Sequence, residues 1–186
     1  MLAGLTRLAL GLLTLAYPFV VYFGLSRFQP SIIALLLVAV LAVRLGLASG
    51  TERTWVFWPL LVLLSYSIAA VITGSQLMLL IYPVLVSLCF LSIFAWTLFR
   101  PPSLIERIVR ARGEQISEFG PPYMRTVTIV WCGFFIANAI VAAYTVTLSL
   151  SAWTLYNGLL SYLAIGTLGC IELVCRRAYK RKHGVI

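Results

Sequence analysis

The chain has 186 residues, 62% of them apolar and 10% charged, with a mean hydropathy of +1.03. A soluble domain carries about 25% charged residues, so too little polar surface remains here to cover a water-soluble globule, and a soluble enzyme is excluded. The 14 Lys and Arg outnumber the 5 Asp and Glu, giving +9. Most positives flank apolar stretches, which points to orientation in a membrane and to anionic lipid, not to nucleic acid.

The pattern predicts an all-α fold: a polytopic membrane protein with six transmembrane helices in a single integral domain over 1–186. Each apolar segment is near the ~20 residues that cross a hydrocarbon core, and a span must be helical because lipid offers the backbone no partner. The first segment runs over about 8–25. Arg7 before an apolar run superficially suits a signal peptide, but Tyr17-Pro18 lies inside the run and no small-x-small site follows. It is therefore expected to be retained as a span. The second covers 31–48, the third 54–73 and the fourth 75–99. Pro18 and Pro83 are interior and should bend their helices; Pro59 is early in its own.

A cytoplasmic loop is expected over 100–125. Pro101-Pro102 stops the fourth helix, and Ser103 with Glu106 makes an S-x-x-E capping box. A short interfacial amphipathic helix should follow, with Leu104, Ile105, Ile108 and Val109 on one side and Arg107 and Arg110 on the other. Gly120-Pro121-Pro122 is expected to reset the chain before the fifth span, 126–148. The sixth covers 152–174, and a basic tail over 175–186 contains the lone His183.

Six spans place every Lys and Arg except Arg27 on one side. That split supports the six spans and predicts that both termini are cytoplasmic. Trp55, Trp58, Trp96 and Trp131 then fall near the inner boundary and Trp153 near the outer one, at the depth indoles favour. Gly74-Ser75 and Ser149–Ser151 become tight outer turns.

Folding the fifth and sixth spans about Ser149–Ser151 puts Asn157 level with Tyr144 and Asn138 level with Tyr162. Gly133 and Ala137 on one helix, with Gly158, Gly166 and Gly169 on the other, would let the backbones approach. Asn157, Ser161, Leu168 and Glu172 share a helical face. Together, Asn138, Tyr144, Asn157, Ser161, Tyr162 and Glu172 outline an intramembrane polar groove for a headgroup or solute. The plainer reading is amide bridges between helices. Glu172, the one acid inside a span, precedes Arg176 by one turn, an order that suits an ion pair. Leu15–Val21 and Leu80–Val86 share a Tyr-Pro core, three spans apart, as an inverted repeat or chance similarity would produce.

No catalytic constellation is visible. Cys89, Cys132, Cys170 and Cys175 lack CxxC spacing, the histidine is in the tail, and no acid pair, metal cluster or phosphate-binding glycine loop occurs. No cofactor or metal is expected, and the chain reads as a non-enzyme.

Several motifs together resemble a family of small bacterial inner-membrane proteins. These are Tyr17-Pro18, Tyr22-Phe23-Gly24-Leu25, Tyr82-Pro83-Val84-Leu85-Val86, Phe94-Ala95-Trp96, Arg100-Pro101-Pro102-Ser103-Leu104-Ile105-Glu106-Arg107, Trp131–Phe135 with Asn138, and Trp153 with Tyr156-Asn157-Gly158. Members of that family lie beside ketosynthases, acyl carrier proteins and lipid exporters in aryl-polyene and fatty-acid-like biosynthetic clusters. More remotely, the pattern is similar to intracellular septation protein A. Ser87 departs from the family pattern, which has an asparagine there, and this weakens a polar role at that position. The resemblance implies a place in envelope lipid or polyene metabolism, not a reaction.

The leading expectation is an accessory protein that docks an acyl carrier protein or ketosynthase of the same pathway to the membrane. Its candidate headgroup or partner contacts are Arg100, Glu106, Arg107, Arg110 and Arg112. A small lipid or solute transporter and a septation-like scaffold are the alternatives. Membrane lipids are expected partners, and self-association into a homo-oligomer is left open.

Overall fold

The computed structural model describes residues 16–47, 51–113 and 120–182, and the side chains within 16–46, 57–113 and 120–182. The described residues form seven helices. They are α1 (Tyr17–Gly24), α2 (Pro30–Leu47), α3 (Thr51–Thr73), α4 (Gln76–Phe99), α5 (Leu104–Ala111), α6 (Gly120–Val146) and α7 (Leu150–Lys182). The fold is all-α as expected. Residues 8–15 of the expected first span, and the indole of Trp55, lie outside what is described.

Three helices, α4, α6 and α7, are long and apolar enough to cross a membrane, and they mark the chain as a membrane protein by length and composition. Pro30–Gly46 and Phe57–Thr73 are shorter apolar helices. Ile72, Phe99, Ile140 and Val174 are each well over half exposed. Such side chains carry no penalty where the surrounding solvent is itself hydrocarbon.

Helix boundaries depart from the hydropathy pattern in two places. α6 starts at Gly120, not near Thr126, so Pro121 and Pro122 open the helix instead of resetting the chain. Proline suits a first turn because its φ is already helical and its missing N–H would have had no partner there. α7 continues through Lys182, well past the end of its apolar run near Val174. Hydropathy marks where hydrocarbon ends. Helix continues because Ala, Arg and Lys are strong helix formers, and Lys180, Arg181 and Lys182 complement the negative end of the dipole.

The turns follow local chemistry. Gly74 takes φ +61° between α3 and α4, a conformation that costs any residue with a Cβ. Ser149 caps α7, its hydroxyl accepting from the Ala152 N–H at 3.2 Å.

The chain divides into two compact units. The first comprises residues up to Val86 with Ile140–Leu160; the second comprises Ser87–Ala139 with residues from Ser161 onward. In the first, α2 packs on α3, and Val21, Ala34, Leu79 and Trp153 are fully or almost fully buried. The Tyr66 hydroxyl donates to the Met78 carbonyl at 3.1 Å, bridging α3 and α4.

In the second unit, rings join α4 to α6. Phe90 stacks on Phe135 at 5.4 Å, and Phe94 meets Phe135 edge-on at 5.2 Å and Trp131 at 6.2 Å. Each such pair adds about 0.5–1.5 kcal/mol beyond its buried area. Tyr123 of α6 stacks on Tyr179 of α7 at 4.6 Å. The basic end of α7 is therefore docked, not a free tail.

Candidate functional site

Within the first unit, the polar side chains gather at one backbone defect. Pro83 sits inside α4 and has no N–H for the carbonyl four residues earlier, that of Leu79. The Tyr17 hydroxyl of α1 donates to that carbonyl at 2.6 Å. The next carbonyl, Leu80, accepts the Trp153 indole N–H from α7 at 2.9 Å. Tyr17 and Tyr82 rings lie 4.9 Å apart, and Trp153 meets Tyr17 edge-on at 6.4 Å. Tyr17, Tyr82 and Trp153 are all buried. The two carbonyls before Pro83 thus receive donors from two other helices.

Trp153 is only 1% exposed and its indole N–H bonds to backbone, so it ties helices together instead of facing outward. Trp58 and Trp96, by contrast, are largely exposed.

α7 passes this cluster through a π-helical turn, Tyr156–Leu160. Such turns arise where one residue more than the α-repeat is accommodated, often at functional positions. The Asn157 amide within it donates to the Trp153 carbonyl at 2.9 Å and to Thr145 Oγ1 of α6 at 3.2 Å. Tyr144, expected opposite Asn157, is 63% exposed, and the register is one residue along, at Thr145.

Gly158 does not open α7 toward α6. A Cβ there would lie 3.1 Å from the Phe19 ring and 3.4 Å from Pro18, so its role is close approach to α1. At Gly133, Gly166 and Gly169 a Cβ would meet nothing within 4 Å. These three are not packing glycines among the described residues.

In the second unit, the Asn138 amide donates to Ser87 Oγ at 2.8 Å, both residues buried. Ser87 therefore has a polar role after all. A shorter side chain on α4 still reaches a longer one on α6. Ser161 is buried and Tyr162 half-buried. Glu172 is half-buried, and its backbone carbonyl accepts the Tyr123 hydroxyl at 3.4 Å. Cys132 is buried and Cys170 and Cys175 are exposed, all as free thiols.

The second unit also holds a folded basic ledge. Arg107 donates through Nε to the Pro102 carbonyl and through Nη2 to the Arg100 carbonyl, both at 2.6 Å. Arg125 Nη1 reaches the Leu98 carbonyl at 2.9 Å. These are carbonyls at and beyond the C-terminus of α4, where cations are favoured. The Arg100 guanidinium lies 5.0 Å above the Trp96 ring.

The expected capping box does not form. Ser103 has the extended backbone of an N-cap, yet its buried hydroxyl has no hydrogen-bond partner. The Leu104 N–H instead donates to Thr97 Oγ1 of α4 at 2.9 Å. Glu106 turns to Arg110, whose Nε and Nη2 both contact Oε1, at 3.0 and 2.7 Å.

The inward face of α5 is accordingly Glu106 and Val109, both buried, while Ile108 is 40% exposed. With Arg110 over its oxygen, the carboxylate can face inward without an uncompensated charge. Arg100, Arg110 and Arg112 are exposed along the ledge. No group of three His, Cys, Asp or Glu side chains gathers among the described residues. No protein-family model, curated protein or solved structure matches the chain.

Proposed function

We propose that the chain is a six-span protein of the bacterial inner membrane, both termini cytoplasmic, that docks an acidic acyl carrier protein of envelope lipid or aryl-polyene-like biosynthesis. The observation that carries this reading is the prefolded ledge. Arg107 and Arg125 are committed to carbonyls at the end of α4, which holds the turn rigid. Arg100 and Arg112 then display charge with no carboxylate on them among the described contacts. A preorganised cationic surface loses little entropy on binding, and charge complementarity speeds encounter with an acidic partner.

The six-span arrangement rests on the sequence pattern and on the three long apolar helices. Transport is the alternative function. It calls for movable helix breaks, and the hydrogen bonds that Tyr17 and Trp153 make to the carbonyls before Pro83 weigh against it.

The test is titration of the full chain, in nanodiscs of neutral lipid, with an acyl carrier protein at two ionic strengths. Replacing Arg100 and Arg112 by Gln, with Arg107, Arg110 and Arg125 kept, should weaken binding most at low salt, where screening is least. Equal binding by a correctly inserted double variant overturns the proposal. Stabilisation by a small solute, without carrier binding, would favour transport.

A further inference from the structure

An apolar groove of about 750 Å³ lies between α1 and α2, independent of the basic ledge. Its walls include Val20, Phe23, Phe28, Ile32, Leu36 and Ala39. Phe23 and Phe28 are more than half exposed, so the groove is open along one side.

The α1–α2 connection contributes Ser26, Arg27 and Phe28 to the lining and is held by its own hydrogen bonds. Arg27 and Phe28 N–H groups donate to the Gly24 carbonyl at 2.9 and 2.7 Å, and the Ile32 N–H donates to the Gln29 carbonyl at 3.0 Å. The Ser26 hydroxyl is turned away to the Phe23 carbonyl at 2.7 Å. Arg27, exposed in this turn, lines the groove there and has no carboxylate or carbonyl partner among the described contacts. It is also the one Lys or Arg between residues 8 and 43.

We infer that this groove binds one acyl chain of an anionic phospholipid, whose phosphate sits on Arg27. The volume falls in the range of about 300–1,000 Å³ that holds small ligands. The lining is apolar along the helices and cationic at the turn alone, which matches an amphiphile with its negative group at one end. Guanidinium and phosphate pair through parallel charge-assisted bonds. The open side selects a two-chain lipid of the bilayer, because the second chain can lie outside the groove.

The test is native mass spectrometry of the full chain in a neutral detergent, titrated with phosphatidylglycerol, phosphatidylcholine or oleate. The wild-type chain should retain one phosphatidylglycerol in preference to the other two. R27Q should lower phosphatidylglycerol affinity roughly tenfold, toward that of phosphatidylcholine, as expected for one charge-assisted contact. A39W fills the groove from an exposed position and should abolish specific retention of either phospholipid while leaving helicity unchanged. R112Q, on the ledge, should bind as the wild type does. Undiminished phosphatidylglycerol preference in R27Q, retention in folded A39W, or preferential binding of oleate would each overturn the inference. R112Q behaving like R27Q would assign the lipid to the ledge and overturn it too.

Discussion

Replacing Tyr17 by Phe removes one hydroxyl and leaves its ring contacts with Tyr82 and Trp153 in place. What is lost is the 2.6 Å bond to the Leu79 carbonyl, the group that Pro83 deprives of its helical donor. A buried carbonyl left without a partner costs about 1–3 kcal/mol in water-soluble proteins. In membrane proteins, interhelical hydrogen bonds average about 0.6 and reach about 1.7 kcal/mol. The expected loss is about 1 kcal/mol, above the membrane average because both groups are buried. The background decides the cause. Pro83→Ala restores the N–H to the Leu79 carbonyl, so Tyr17→Phe should cost only a few tenths of a kcal/mol in that background. The assay is reversible unfolding of the four proteins in mixed micelles of rising sodium dodecyl sulfate content, followed by circular dichroism. Equal costs of Tyr17→Phe with and without Pro83, or no cost at all, refute the role of Tyr17 as the substitute donor to Leu79.

Two further predictions concern the same packing. Asn138→Leu and Ser87→Ala should each destabilise by about 0.6–1.7 kcal/mol, and the double variant should lose less than their sum, because one bond joins them. Gly158→Val should destabilise or shift α1, since Phe19 and Pro18 stand 3.1 and 3.4 Å from the new Cβ. Gly166→Ala, facing open space, should be neutral or gain up to about 1 kcal/mol of helix propensity; unfolding midpoints in the same micelles compare the two.

Helix type and the positions of α2, α3 and α4 were legible in the sequence, because long apolar stretches in lipid allow little besides helix. The ends of α6 and α7 were not. Pro121 and Pro122 look like breakers yet suit a first turn, and the basic run after Val174 leaves hydrocarbon without leaving helix. The Tyr17-Pro18 and Tyr82-Pro83 motifs were visible as an echo. Their use was not, since Tyr17 acts on a carbonyl 62 residues away. The capping-box pattern misled for a similar reason. Thr97, outside the local motif, supplies the acceptor for Leu104, and Arg110 takes Glu106. The five arginines of the ledge were legible as a basic stretch, but no spacing rule separates Arg107, which ties the turn together, from Arg112, which faces out.

The docking account stands on the ledge facing the cytosol. The most direct measurement is accessibility of a single cysteine placed at Arg112, exposed at the end of α5, with the four native cysteines replaced by Ser or Ala. In intact cells it should resist a membrane-impermeant thiol reagent and react only after permeabilisation, while a cysteine at the exposed Ser151 should react from outside without it. Labelling of the Arg112 position in intact cells would contradict the account.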